Sequence, residues 1–129
     1  MKTPIPNNRC FEEILLEAVE EVLSSLGLPV KNAVYFYLEK SFGLKRHDIP
    51  YKIEKFANAI EEIFGVGAKL LEIQIMKSLY KKVGQKLRYV PKHELNFVRY
   101  VKAVRNKYRN LKNKEIEVVY ATFLKCAVT

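Results

Sequence analysis

Arg99, Lys102, Arg105, Arg109 and Lys112 recur at steps of three, three, four and three, so on a helix they share one stripe. Phe97, Val101, Val104, Tyr108 and Leu111 follow at steps of four, three, four and three, which predicts the helix itself. At about 100° per residue the cationic stripe lies roughly a quarter turn from the apolar one. Such a helix packs its apolar side and presents a ladder of cations. Guanidinium forks and ammonium charges both bind phosphate oxygens, so the five residues are candidate phosphate or partner contacts. Tyr89, Tyr100 and Tyr108 interleave with them and offer ring faces on which bases stack. Tyr108 falls inside the apolar stripe and reads as core.

The other reactive residue types do not assemble. Glu13, Glu17 and Glu20 or Glu21 line one helix face, but a metal site draws ligands from more than one element, so they read as a solvated face. Gly65-Val66-Gly67-Ala68-Lys69 opens a helix, where anions bind. The phosphate-loop pattern needs Gly-Lys-Ser/Thr; here the lysine follows alanine and no hydroxyl comes next, which favours a tight helix–helix turn. His93-Glu94 lacks the second histidine of zinc proteases, because position 97 is Phe97. His47 sits in a loop beside Asp48. Two histidines with Cys10 and Cys126 give no nucleophile–base arrangement. No catalytic residue, metal ligand or cofactor site is assigned, and the expectation is a protein that is not an enzyme and carries no cofactor.

The elements that would position the stripe are helices. Phe11, Ile14, Leu15, Ala18, Val19, Val22, Leu23 and Leu26 form the apolar stripe of a first helix, capped by Asn7 or Asn8 and stopped by Gly27. Pro29 opens a second helix, whose inner face is Val30, Ala33, Val34, Tyr37, Leu38 and Phe42 before Gly43. Asp48 is the expected cap of a third, lined by Ile53, Phe56, Ala57, Ile60, Ile63 and Phe64. The fourth runs from about Ala68 to Val83 and ends at Gly84. Its apolar residues spread over more than one face, which predicts the central, most buried helix. Lys86 to Val90 alternates as an extended segment would, and Pro91 breaks the chain before the fifth helix. Glu115 to Ala127 fits a helix through Ile116, Val119, Tyr120, Phe123, Leu124 and Ala127, or a short strand through Ile116, Val118, Tyr120 and Leu124.

Composition sets the class. The 129 residues are 49% hydrophobic and 29% charged, which is globular and not disordered. No apolar run approaches the roughly 18 residues of a membrane span. Five glutamates in the first apolar helix are foreign to a secretory signal, and two cysteines make no disulfide scaffold. A soluble, cytoplasmic protein with no membrane partner is expected. The net charge of +9 is uneven: residues 1–65 sum to −2 and residues 66–129 to +11. Between Lys77 and Lys114 thirteen basic residues meet one acid, Glu94. Such a field attracts polyanions or an acidic partner, and the same lysines also serve to solvate a helical surface.

Ser25-Leu26-Gly27, Val34-Tyr35-Phe36-Tyr37-Leu38-Glu39, Phe42-Gly43-Leu44-Lys45 with Ile49-Pro50, Phe64-Gly65-Val66-Gly67-Ala68-Lys69 and Leu79-Tyr80 together carry a resemblance. Over residues 11–84 the chain resembles the fifth type of the archaeal Nitrosopumilus output domains. These residues mark turns and apolar positions, and none is a catalytic motif. The resemblance implies a module at the output end of archaeal two-component signalling, without established chemistry. Two features depart from it: the chain has no receiver or kinase region, and it adds a basic C-terminal third.

The expected fold is all-α, a small orthogonal bundle of five to six helices whose C-terminal segment is helix or short strand. The expected organisation is a tail over 1–10, an output-like domain over 11–84 and a basic extension over 85–129. The leading functional expectation is a non-enzymatic interaction or output module of archaeal signalling or regulation, whose partner, a protein or a nucleic acid, the sequence does not name. The alternative is a nucleic-acid-binding protein that contacts phosphates through the helix around 95–112.

Overall fold

A computed structural model of the chain describes residues 9–87 and 96–111. Among these residues every regular element is helical. Helix α1 (Phe11–Ser25) is followed by α2 (Leu28–Phe42), a 3₁₀ turn (Arg46–Tyr51), α3 (Ile53–Phe64), a short 3₁₀ link (Gly65–Gly67) and α4 (Ala68–Leu79). The α4 rod continues through a π-helical stretch, Tyr80–Gly84, into the short α5 (Gln85–Leu87). Helix α6 covers 97–111. The fold is a small all-α bundle. Residues 1–8 and 112–129 lie outside the described residues, and with them the Asn7 or Asn8 cap, Lys112, Cys126 and the helix-or-strand question at 115–127; Tyr89, Pro91 and His93 do too.

Helix α1 is the centre. Phe11, Ile14, Leu15, Ala18, Val19, Val22 and Leu23 are all buried, and α1 touches α2, α4, the 3₁₀ turn and the π stretch. The expectation that α4 is central is corrected. Its buried residues Ala68, Leu71, Glu72, Ile75, Met76 and Leu79 form one stripe, while Leu70 is 66% exposed. The apolar residues off that stripe misled the reading. Gly84 does not stop the rod either. The π stretch adds a residue and brings both Val83 and Gly84 to the core side.

Two turns follow from local chemistry. Gly43 closes α2 at φ 61°, donating to Glu39 O, while Leu44 N–H donates to Leu38 O; this wrap needs the left-handed position that glycine tolerates. Asp48 is not the cap of α3. The chain instead packs Ile49 and Pro50 into the core on a 3₁₀ turn, Arg46–Tyr51, against α1, and α3 starts at Ile53, after Lys52.

The expected boundary near Gly84–Pro91 does not separate two cores. Phe97, Tyr100, Val101, Val104 and Tyr108 of α6 belong to the same buried cluster as α1, α3 and α4. Phe97 meets the Phe56 ring at 6.4 Å and Tyr108 meets the Phe11 ring at 6.1 Å between centroids. Asn96 caps α6 by accepting the Arg99 backbone N–H through its side chain at 2.9 Å. Helix α6 is therefore part of the bundle rather than an extension of it.

Candidate functional site

The cationic stripe of α6 is paired with acids of α1 and α3, with Arg105 half-buried and Lys102 and Arg109 exposed. Arg109 Nη2 donates to Glu12 Oε2 at 2.8 Å, and Arg105 Nε lies 3.5 Å from the same oxygen. Arg105 also donates to the Pro50 carbonyl at 3.0 Å and sits 5.7 Å from the Phe11 ring centroid. Lys102 Nζ reaches Glu54 Oε2 at 2.6 Å, and that pair holds the Glu54 carboxyl below its usual range. Arg99 is exposed on the first turn of α6. Three of the four described stripe residues thus spend their charge on Glu12 and Glu54 instead of forming a free ladder.

Glu12 is the residue that sequence reasoning missed. Its side chain is 8% exposed. The signal was present: Glu12 stands three, seven and eleven residues before Leu15, Val19 and Leu23, on the apolar row rather than the solvated face. A carboxylate on such a row needs a cation, and α6 supplies two.

The tyrosines separate as burial dictates. Tyr108 is core, and its hydroxyl donates to the Arg9 carbonyl at 2.7 Å. Tyr100 is fully buried, so neither ring is open for a base to stack on. The acids of α1 are engaged at its surface. Glu17 meets Arg9 at 3.2 Å and Lys82 at 3.5 Å, Glu20 meets Lys31 at 3.0 Å and also Arg46, and Ser78 Oγ donates to Glu21 at 2.5 Å. At Glu20 burial raises the carboxyl pKa, but the Lys31 hydrogen bond and the Arg46 charge outweigh it and leave it below its ordinary value. Among the described residues no three His, Cys, Asp or Glu side chains converge on a common point. Gly65–Gly67 forms the tight α3–α4 turn that its sequence predicts.

The remaining feature of note is α2. Of its predicted inner face only Val34 and Leu38 are buried and Phe42 half-buried; Val30, Ala33 and Tyr37 are exposed. With Pro29, Ile63 and Phe64 they line an apolar trough of about 300 Å³ between α2 and the end of α3. An adjoining hollow of about 460 Å³ shares Tyr37 and Ile63 and continues the trough to Ser41, Phe42 and Glu62. Helix α2 misleads because apolar residues surround it, Phe36 and Leu28 included, so no single face stands out.

No family model, curated protein or solved structure matches the chain. No helix among the described residues is long and apolar enough to cross a membrane.

Proposed function

We propose that the protein is a non-enzymatic interaction module whose docking face is the trough between α2 and α3, and whose partner is an amphipathic helix of another protein. The observation that carries this reading is the outward position of Val30, Ala33 and Tyr37 on a helix whose sequence is that of a buried one. Their spacing of three and four makes a ridge beside a second wall, Ile63 and Phe64, which is the seat that one more helix fills. Ala33 leaves room at the middle, and Tyr37 supplies an aromatic anchor of the kind that dominates such interfaces. The output-domain resemblance supports the same face. Two of its blocks, Val34–Glu39 and Phe64–Lys69, fall on α2 and at the α3–α4 turn beside the trough. In the nucleic-acid alternative, phosphates would have to compete with Glu12 and Glu54 for Arg105, Arg109 and Lys102.

The test is site-specific photo-crosslinking. A benzoylphenylalanine at Tyr37 in the full chain, expressed in its source cells, should yield one discrete heterologous adduct. The same probe at exposed Lys55 should yield none, and Ala33→Glu should abolish the Tyr37 adduct. Equal adducts at both positions, or none at either, would overturn the docking face.

A further inference from the structure

A second concavity, of about 550 Å³, lies between the C-terminal half of α1 and the α4–π rod. Its rod side carries Gln74, Lys77, Lys81 and Gln85, and Tyr80 and Val22 give it apolar wall. The neighbouring cations are committed elsewhere: Lys82 to Glu17 and Glu21, Arg9 to Glu17, Lys31 and Arg46 to Glu20. Glu21, the acid in the cleft wall, accepts from Ser78 and faces Lys82. Lys77 and Lys81 make no ion pair or hydrogen bond among the described residues. They are two exposed cations four residues apart on the same wall, and the charge of Lys81 also acts on Glu21.

The backbone points to the same place. Tyr80–Gly84 is π-helical. An inserted residue weakens a helix locally, and such bulges recur where a binding surface requires them. Here the π stretch separates two adjacent lysines. Lys82 turns to the acids of α1, while Lys81 lines the cleft beside Tyr80.

We infer that this cleft binds a nucleotide, with its phosphates at Lys77 and Lys81 and its base against Tyr80. Paired ammonium groups suit a di- or triphosphate, which spreads charge over several oxygens. The amides of Gln74 and Gln85 each carry a donor and an acceptor, as a base edge does. The volume lies within the range of small-molecule sites. A free nucleotide and a nucleotide within a single strand share this chemistry, and the two arms of the test separate them. The cleft uses other residues than the α2–α3 trough, so either reading fails without the other.

Full-length protein is titrated with methylanthraniloyl-ATP by fluorescence, and with fluorescein-labelled oligothymidylate by anisotropy. Saturable binding of at least one probe is expected, weakened about tenfold or more in Lys77→Gln/Lys81→Gln, with an unchanged melting temperature, because both lysines are exposed. Binding of the ATP probe alone assigns the free nucleotide; tighter binding of the oligonucleotide assigns the strand. Unlabelled ATP should compete better than inorganic pyrophosphate. If neither probe binds, if the double variant binds as wild type does, or if pyrophosphate matches ATP, the nucleotide assignment is overturned.

Discussion

Arg109 Nη2 donates to Glu12 Oε2 at 2.8 Å and so ties α6 to the first turn of α1. The carboxylate is nearly buried while the arginine side chain is 58% exposed, so the acid depends on the pair more than the base does. Glu12→Ala should cost about 3 kcal/mol, because it leaves the half-buried Arg105 without its anion. Lys102→Gln should leave stability nearly unchanged, since the Lys102–Glu54 pair is exposed on both sides. Urea denaturation measures both. Replacing the whole stripe with glutamine is accordingly a stability change as well as a charge change, although exposed charges alone would predict little effect. A Glu12→Ala variant within about 0.5 kcal/mol of wild type would remove the clasp from the fold.

A chain truncated after Gly84 should not unfold cooperatively. The sequence alone predicts the opposite, because composition shifts there. The structure sets Phe97, Tyr100, Val101, Val104 and Tyr108 into the common core. Five large buried side chains at about 1.5–3 kcal/mol each are worth on the order of 10 kcal/mol, as much as a whole domain's stability. Circular dichroism melts of the truncated and full chains decide it. A sharp transition for residues 1–84 would make α6 an accessory.

What the sequence shows and hides divides along physical lines. Apolar stripes at helical spacing place α1, α3 and α6 within a residue or two, since burying a stripe is what makes those helices form. The ends are less legible. Asp48 has a cap's chemistry, but it lies inside a 3₁₀ turn whose Ile49 and Pro50 are buried, and α3 starts five residues later. Gly84 has a stop's chemistry, but in the π stretch it is a packing residue. The cation stripe is legible as a pattern, and its orientation is not, because a quarter turn from the apolar row is the boundary between core and water. Glu12 decides that orientation from more than ninety residues away. The trough on α2 is hidden for a different reason: a helix apolar on several sides does not say which side its own chain will cover.

Ile75 tests the inner face of α4. It is fully buried. Ile75→Val should cost about 1 kcal/mol through one lost methyl group, and Ile75→Asp should abolish folding by placing an unpaired carboxylate in the core. Thermal melts of the two variants give the readout. An Ile75→Asp protein that melts within a degree of wild type would move α4 out of the core.

Glu72 gives the chain a pH dependence of predictable sign. It is 6% exposed on the inner stripe of α4. Burial first, then the Glu61 charge, push its carboxyl above the ordinary 4.5, against the opposing pull of Lys69. The folded state therefore binds this proton more tightly than the unfolded state does. Below 4.5 both states are protonated and Glu72 carries no penalty; as pH rises from there to the raised value, the unfolded chain releases its proton first and stability falls. Above that window the folded protein bears the cost of holding Glu72 in a confined site. Glu72→Gln removes that cost, so the variant should melt higher than wild type near pH 7, with the gap closing toward pH 4. Glu20 contributes with the opposite sign, because its carboxyl is held low by Lys31 and Arg46 and its stabilisation is lost in acid. The wild-type curve alone therefore mixes the two, and the informative quantity is the difference between wild type and Glu72→Gln across pH. A variant less stable than wild type at neutral pH would show that Glu72 is held by a favourable contact rather than strained by burial.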